Sequence, residues 1–546
     1  MRAVPCRVPR FDDLNLASLL WSAGSQVASA DRIAVRERER TTTYAELRDR
    51  AGASAHTLFT QGVRPGDRIG IFLERNADAI AAYCGVLATG AIAIVINERS
   101  FPRQIEHALR HSGASHLVSS AAMLARLPRS LETGARLVQV ESMSSGDCEP
   151  QPRIAPDLAQ IIYTSGSTGL PKGVVFTHDN LRRGASAVVS YLGLDETDHI
   201  ASLLPFSSVY GLNQLLCALT VRATLVIERS TLPAQIEAAL RMADTTVVAA
   251  VPPLWLQLLR QTPLADTPLP SLRIAQNAGG HLPIDTVRRL RAAQPHARLF
   301  LQYGLTEAFR STYLPPEEVD AHPDSMGRPV PGADIMILTD ELKPCAAGEV
   351  GEIVHRGPTV AAGYWADPEG TARVFQSNPS RVPGAPETER VVFTGDLARR
   401  DAEGRLYFVG RKDRMIKTLG FRVAPDEVAD VLFASGELLE AVVMGEPDTD
   451  RGERIVAHVV LAADGSLERL ERFCRAELPR YMQPQRFEVK ASLPRLAGGK
   501  YDISSLRAGS NGSSTNATAS TPQLDALLTL TSEPSPPPPH PAQPSL

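Results

Sequence analysis

The sequence predicts an α/β protein: a large N-terminal body of mainly parallel sheets covered by helices, and a small mobile α/β C-terminal domain. Three observations lead there. Short apolar runs alternate with amphipathic stretches from about Thr43 onward, the pattern of strands joined by helical crossovers. Near Arg411 the alternation restarts on a smaller scale. After Arg507 it stops, and the composition collapses to Ser, Thr, Asn, Gly and Pro, ending in SPPPPHPAQPSL. The expected organisation is therefore a body over residues 1–409, a C-terminal domain over 410–506 and a disordered tail over 507–546.

The elements follow in order. Thr43 with Glu46 makes a capping box, so a helix starts at Tyr44, and Leu47, Ala51, Ala55 and Leu58 form its apolar stripe. Gly62 to Asp67 is a turn and Arg68 to Leu73 a strand. Asn76 to Ala88 reads as a buried helix and Ala91 to Ile96 as a strand. Together these last two make an apolar run long enough to suggest a membrane span, but Thr89-Gly90 divides it. Farther on, Arg298 to Leu301 and Leu406 to Val409 read as strands. In the smaller unit, helices are expected at Pro425 to Ala434 and Leu467 to Leu478, with strands at Ala441 to Gly445 and Ile455 to Ala462. Leu467, Leu470, Phe473, Cys474 and Leu478 supply a core stripe.

Composition bounds the function. The chain has 546 residues, 43% hydrophobic and 22% charged, which suits two to four soluble folding units. A net charge of −4 gives no reason to expect nucleic acid as a partner. Six cysteines lack CxxC or CxxH spacing, which argues against zinc and against a disulfide framework. The N-terminus has no apolar core of a secretory signal. Cytoplasm is the expected setting.

The densest chemistry lies in YTSGSTGLPKGVVFTH, Tyr163 to His178. Gly166, Gly169 and Gly173, the hydroxyls of Thr164, Ser165, Ser167 and Thr168, and Lys172 are packed between two apolar runs. Glycines let backbone amides approach a ligand, and amides with hydroxyls hold phosphate oxygens. GxxxxGK[ST] does not fit, and the flanks Gln160 to Tyr163 and Gly173 to Thr177 both read as strands. Read alone, the loop is also compatible with an ordinary surface turn. Four more motifs follow: QYGLTE (Gln302 to Glu307), FTGD (Phe393 to Asp396), GRKD (Gly410 to Asp413) and GFRVAPDEV (Gly420 to Val428). Lys500 comes last, after Gly498 and Gly499. A carboxylate on a turn at a strand's carboxyl end suits a ligand crevice. Each short motif, by itself, also reads as a solvated turn.

Together, in this order, these motifs resemble the acyl-adenylate-forming superfamily: acyl-CoA synthetases, luciferases and peptide-synthetase adenylation domains. The resemblance covers Phe11 to Leu506. It implies that Ser165 to Gly169, with Thr164 and Lys172, cradle ATP phosphates. It implies that Tyr303 stacks on adenine beside Gly304, that Thr306 contacts the α-phosphate, and that Glu307 binds magnesium. Asp396 and Arg411 take the ribose, Asp413 is the interdomain hinge, and Gly420 lies on the loop that admits the thiol. Lys500 becomes the catalytic lysine, although Leu496 and Ile503 replace the threonine and arginine usual near it. Asn277, Ala278 and Gly279 fall to the nucleotide. Gly280, Ser207, Ser208, Val209 and Gly211 fall to the acid pocket.

The activity so implied is that of an AMP-forming ligase using ATP and Mg2+. It activates a carboxylic acid as the acyl adenylate, then passes it to CoA or to the phosphopantetheine of an acyl or peptidyl carrier protein. The segment PFSSVYG has no carboxylate where amine-recognising relatives place one, so the expected acid has a neutral or aromatic chain rather than an α-ammonium. The run NAGG with YGLTEAFRSTYLPPEEVD is most similar to a bacterial acyl-CoA ligase subgroup named for exosortase-linked gene clusters. A prolyl-type, carrier-loading aminoacyl branch is the alternative. A non-catalytic adenylate binder and a luciferase-like oxidase are alternatives of other classes.

Overall fold

The computed structural model describes residues 14–25, 30–128, 134–144, 146, 148–164, 171–384, 388–418, 421–448, 451–496 and 501–510. The loop Ser165 to Gly169, Gly420, Lys500 and the tail beyond residue 510 lie outside the described residues. Residues up to Ile503 form one compact unit. Residues from Ser504 form another, whose described part belongs to the helix Ile503–Ser510.

Among the described residues the strands form three sheets, of fourteen, seven and five. In the largest, Ile33–Arg36, Thr224–Ile227, His199–Ser202, Val247–Ala250, Ile274–Asn277 and Arg298–Tyr303 lie side by side in parallel. In the second, Ile92–Val95, Arg68–Phe72, His116–Ser119 and Arg136–Gln139 are parallel. The helices Tyr44–Thr60, Ala77–Ala88, His178–Leu192 and Val209–Val221 share one apolar core with residues of both sheets, among them Val35, Ile200, Ile71 and Phe176.

The first helix forms as its residues dictate. Thr43 Oγ1 accepts from the Glu46 amide at 3.2 Å, and the Glu46 carboxylate accepts from the Thr43 amide at 2.8 Å. Leu47, Ala51, Ala55 and Leu58 are buried. The apolar run that followed is a helix of 12 residues, Ala77–Ala88, plus the strand Ile92–Val95. Asn76 is the helix cap rather than its first residue, its Oδ1 accepting from Ala79 N at 2.9 Å. No helix among the described residues is long and apolar enough to cross a membrane.

The parallel reading stops at Tyr303. Thr312–Leu314, Ser325–Pro329, Leu406–Arg411, Arg390–Arg400, Val350–Arg356 and Asp334–Leu338 continue the large sheet in antiparallel pairs. Antiparallel neighbours need no crossover helix, so strand–helix alternation lapses there, and of these strands the sequence pattern marks only Leu406 to Val409. The third sheet is built on the pair Leu438–Asp448 and Gly452–Leu461, longer than expected, with Arg486–Val489 added in parallel. Helices Pro425–Ala434 and Leu467–Glu477 cover it, burying Leu470 and Cys474 as their stripe requires.

The two helices Tyr44–Thr60 and Ala77–Ala88 meet at backbone distance. A Cβ on Gly85 would lie 2.6 Å from Ser54 Cβ and 2.9 Å from Ala51 O. Gly85→Ala therefore overpacks this crossing, and we expect a stability loss of roughly 1–3 kcal/mol, read as a lower melting temperature. An unchanged melting temperature would show that the helices can separate freely.

Candidate active site

The carboxyl ends of two adjacent parallel strands, Ile274–Asn277 and Arg298–Tyr303, define the crevice where open α/β sheets hold ligands. Tyr303 is the last residue of its strand, and Thr306 to Ala308 make a single 3-10 turn after it. Tyr303 packs its ring near Phe408, centroids 6.5 Å apart, and its hydroxyl donates to Asp396 Oδ2 at 2.5 Å. FTGD and GRKD prove to be two sides of one antiparallel ladder, with Asp396 directly opposite Arg411. Arg411 Nη1 lies 3.1 Å from Asp396 Oδ1, and its Nε donates to Asp413 Oδ1 at 3.1 Å. Three separate motifs thus converge on one carboxylate.

The electrostatics reflect the burial. Asp396 is only 6% exposed, and loss of water raises its pKa against the opposing pull of Arg411 and the Tyr303 hydroxyl. Burial and the neighbouring Asp396 hold the Tyr303 proton well above its ordinary range. Asp413 is lowered: its burial acts to raise it, but the Arg411 hydrogen bond and charge prevail. The Asp396 carboxylate can accept hydrogen bonds from hydroxyls while the Arg411 guanidinium donates to oxygens, a pairing that complements a ribose.

A second chain of contacts starts at the cradle. Leu158–Thr164 and Lys172–Thr177 pair antiparallel, with Thr164 opposite Lys172, so the loop does join strand to strand. The short strand Gly363–Tyr364 adds to the same hairpin. Lys172 Nζ lies 5.2 Å from the centroid of the Tyr364 ring and 3.8 Å from Asp367 Oδ2. Tyr364 in turn donates its hydroxyl to Glu307 Oε1 at 2.7 Å, and Ala361 N donates to Glu307 O at 2.9 Å. Burial first, then the Glu307 charge, raises the Tyr364 hydroxyl well above its ordinary range, so it remains a donor. Glu307 is therefore aimed by Tyr364, and among the described residues nothing donates to its second oxygen. No cluster of three metal-ligating side chains occurs among the described residues. A carboxylate with one free oxygen, as at Glu307, suits Mg2+, which takes few protein oxygens and leaves the rest to phosphate and water. Neither Tyr364 nor Asp367 stands out in the sequence, because no local pattern ties them to a strand nearly two hundred residues earlier.

The remaining candidates divide. Asn277 is buried, with its Nδ2 donating to Gly280 O at 3.2 Å and its Oδ1 meeting no donor among the described residues. Ala278 is buried beside it, and Gly279 turns the chain with φ +82°. Gly304 lies against Phe309 and Arg310. Ser208 is not free for a ligand: its hydroxyl donates to Pro205 O at 2.9 Å and caps the helix Val209–Val221 by accepting from Gly211 N at 3.1 Å. Val209 is buried. A Cβ on Gly211 would meet Pro205 O at 2.1 Å, so this glycine serves the turn into the helix. Ser207 faces a small cavity with Arg75, Tyr83 and Asn97.

The segment after Gly420 continues as Phe421–Val423 and then the helix Pro425–Ala434. That helix approaches the Gly280 turn, with His281 Nε2 3.1 Å from Asp430 Oδ1. The residues flanking Lys500 are clamped elsewhere. Arg495 and Tyr501 form an antiparallel bridge, the Arg495 guanidinium 4.6 Å from the Tyr501 ring centroid. Tyr501 lies within electrostatic reach of Arg260, which donates to Leu438 O and Leu439 O. Arg260 is near the end of the helix Pro252–Gln261, whose first residue touches Gly280. Ten helical residues span about 15 Å, so this flank stands a helix length away from the NAGG turn.

Comparison with known proteins follows the same outline. The model of the AMP-binding enzyme family matches residues 24–365, and that of the AMP-binding enzyme C-terminal domain matches 427–500. A linear gramicidin synthase polypeptide of Brevibacillus parabrevis is 30% identical over 88% of this chain, but the match spans only 9% of that synthase. Long-chain-fatty-acid–CoA ligase of Bacillus subtilis is 26% identical, covering 91% of this chain and 94% of the ligase. The o-succinylbenzoate CoA synthetase of Bacillus subtilis, seen with its acyl-adenylate intermediate, superposes with TM-score 0.78 at 26% identity, covering 88% of this chain and 96% of that one. The same synthetase is also known with ATP and magnesium ion.

The ladder makes a stability prediction. Arg411→Met leaves a buried carboxylate with less compensation, and we expect a loss of about 1–3 kcal/mol by chemical denaturation. In an Asp396→Asn background the same substitution should cost clearly less. Equal losses in both backgrounds would mean the two side chains are not coupled.

Proposed function

From the premise that this chain belongs to the AMP-binding enzyme family, we propose that it is an acid–thiol ligase forming AMP. It joins a carboxylic acid to ATP as an acyl adenylate, releasing pyrophosphate, and then transfers the acyl group to a thiol, CoA or carrier-protein phosphopantetheine. The observation that carries this reading is the convergence of Tyr303, Asp396 and Arg411 one strand end away from Glu307 and the cradle hairpin.

The residues then take these roles. Asp396 and Arg411 hold the ribose, and Tyr303 with Asn277 borders the base. Thr164, Lys172 and the loop Ser165 to Gly169 hold phosphate oxygens, with Thr306 at the α-phosphate. Magnesium, when bound, supplies positive charge to the phosphates, and Glu307 would hold it, kept in aim by Tyr364. The substrate carboxylate attacks the α-phosphorus in line and no protein nucleophile is needed, since such transfers rest on positioning and charge stabilisation. Lys500 adds charge in that step.

The C-terminal residues then move about Asp413. The approach of the helix Pro425–Ala434 to His281 supports a state arranged for thiol transfer. Among the described residues no carboxylate stands at Ser207 to Val209 to pair with an α-ammonium, which favours acids without one. The proposed setting is the cytoplasm, whose reducing conditions suit the buried thiols Cys84, Cys217 and Cys474.

Pyrophosphate exchange across a panel of carboxylic acids tests the activity. We expect Lys500→Ala to lower exchange by about 10²–10³ while thioester formation from supplied acyl adenylate survives. Equal loss of both steps would make Lys500 structural. Glu307→Gln should raise the magnesium needed for exchange and leave AMP binding intact. Loss of AMP binding as well would contradict the metal assignment.

A further inference from the structure

The residue that none of these roles uses is Arg310. It is 3% exposed, and among the described residues its buried Nε and Nη2 find no hydrogen-bond acceptor. Among the described residues no carboxylate pairs with it. Its guanidinium instead lies over the Tyr210 ring, 4.7 Å from the centroid. A buried guanidinium without an anion is costly, and proteins rarely keep one unless it meets a charge in the working state.

Several polar groups around it lack partners. Tyr210, Asn213 and Cys217 fall at i, i+3 and i+7 on the helix Val209–Val221. That is one helical face. Arg310 acts electrostatically on Tyr210, Cys217 and Tyr191. Among the described residues the buried Tyr210 hydroxyl and Asn213 Nδ2 find no acceptor. Asn213 Oδ1 is already engaged by Cys217 Sγ at 3.5 Å. What remains includes three groups with an unused N–H or O–H to donate: guanidinium, hydroxyl and amide. A carboxylate is acceptor-only and complements that set. The backbone holds Arg310 inward. Phe309 before it has φ 61°, a strained value for a bulky side chain, and its ring is lodged against Gly184.

The same helix begins at the acid-pocket residues Ser208 and Gly211, and Arg310 follows Glu307 by three residues. We propose that Arg310, with Tyr210 and Asn213, binds a second carboxylate on the acid substrate, so that the chain activates one end of a dicarboxylic acid. This rests on the ligase reading above and replaces the neutral-tailed acid expected from the sequence. Arg310 is a specificity residue here: it holds the end that does not react. The same charge repels an ammonium.

The test pairs each α,ω-dicarboxylic acid of four to eight carbons with the monocarboxylic acid of equal length, and phthalate with benzoate. Pyrophosphate exchange is measured on the full chain. We expect at least one dicarboxylate to exceed its partner in kcat/KM by about tenfold to a hundredfold, the worth of hydrogen bonds to a buried charge. Arg310→Met should shrink that ratio by a similar factor, and Arg310→Lys should restore part of it. Monocarboxylates winning every pair in the unmutated protein would overturn the proposal, as would a ratio that Arg310→Met leaves unmoved. If no acid drives exchange, the ligase reading fails, and melting temperature decides the inference separately. A rise with a dicarboxylate, absent with its monocarboxylic partner and absent in Arg310→Met, upholds anion binding. No such difference overturns it.

Discussion

The site depends on one buried carboxylate. Asp396 stands opposite Arg411 in an antiparallel ladder and accepts the hydroxyl of Tyr303 from a third strand. Through it, the end of the parallel half of the large sheet is tied to its antiparallel half. A carboxylate this poorly solvated persists only with close compensation. Compensation fixes the relative positions of three motifs spread over more than a hundred residues. Nucleotide recognition is then a matter of what already-oriented groups can accept and donate.

A similar economy holds on the phosphate side. The hairpin bearing Thr164 and Lys172 recruits the strand Gly363–Tyr364, and Tyr364 aims Glu307. In the proposed reading, one tyrosine therefore couples the phosphate-holding hairpin to the metal-holding carboxylate. The acid end is built differently. Ser208, Val209 and Gly211 shape the start of a helix. In the proposed reading, the chemistry facing a substrate tail comes from Tyr210 and Asn213 on that helix and from Arg310.

Much of this is legible in the sequence, for physical reasons that can be named. The helix at Tyr44 declares itself through a capping box and an apolar stripe, both local signals. The strand–loop–strand character of the cradle follows from its flanks. FTGD and GRKD are visible as motifs, but their pairing is not, since register is a non-local property. The antiparallel half of the large sheet leaves no alternation to read. Arg310 sits just past a motif whose readable signal is Tyr303, Thr306 and Glu307, and burial of an arginine has no signature in a linear chain. Ser208 and Val209 take a pocket reading from their place in the order of motifs, whereas their use in capping and packing shows only in the folded chain.

The claim that Asp396 recognises a ribose is tested most directly by comparing AMP with 2′,3′-dideoxy-AMP in titration calorimetry, on the unmutated chain and on Asp396→Asn. Hydrogen bonds to a charged group are worth about 1.5–3 kcal/mol each. AMP should therefore bind at least tenfold tighter than the dideoxy analogue, and the gap should nearly vanish in Asp396→Asn. Equal binding of the two nucleotides by the unmutated protein, or a gap that survives the substitution, would contradict the account.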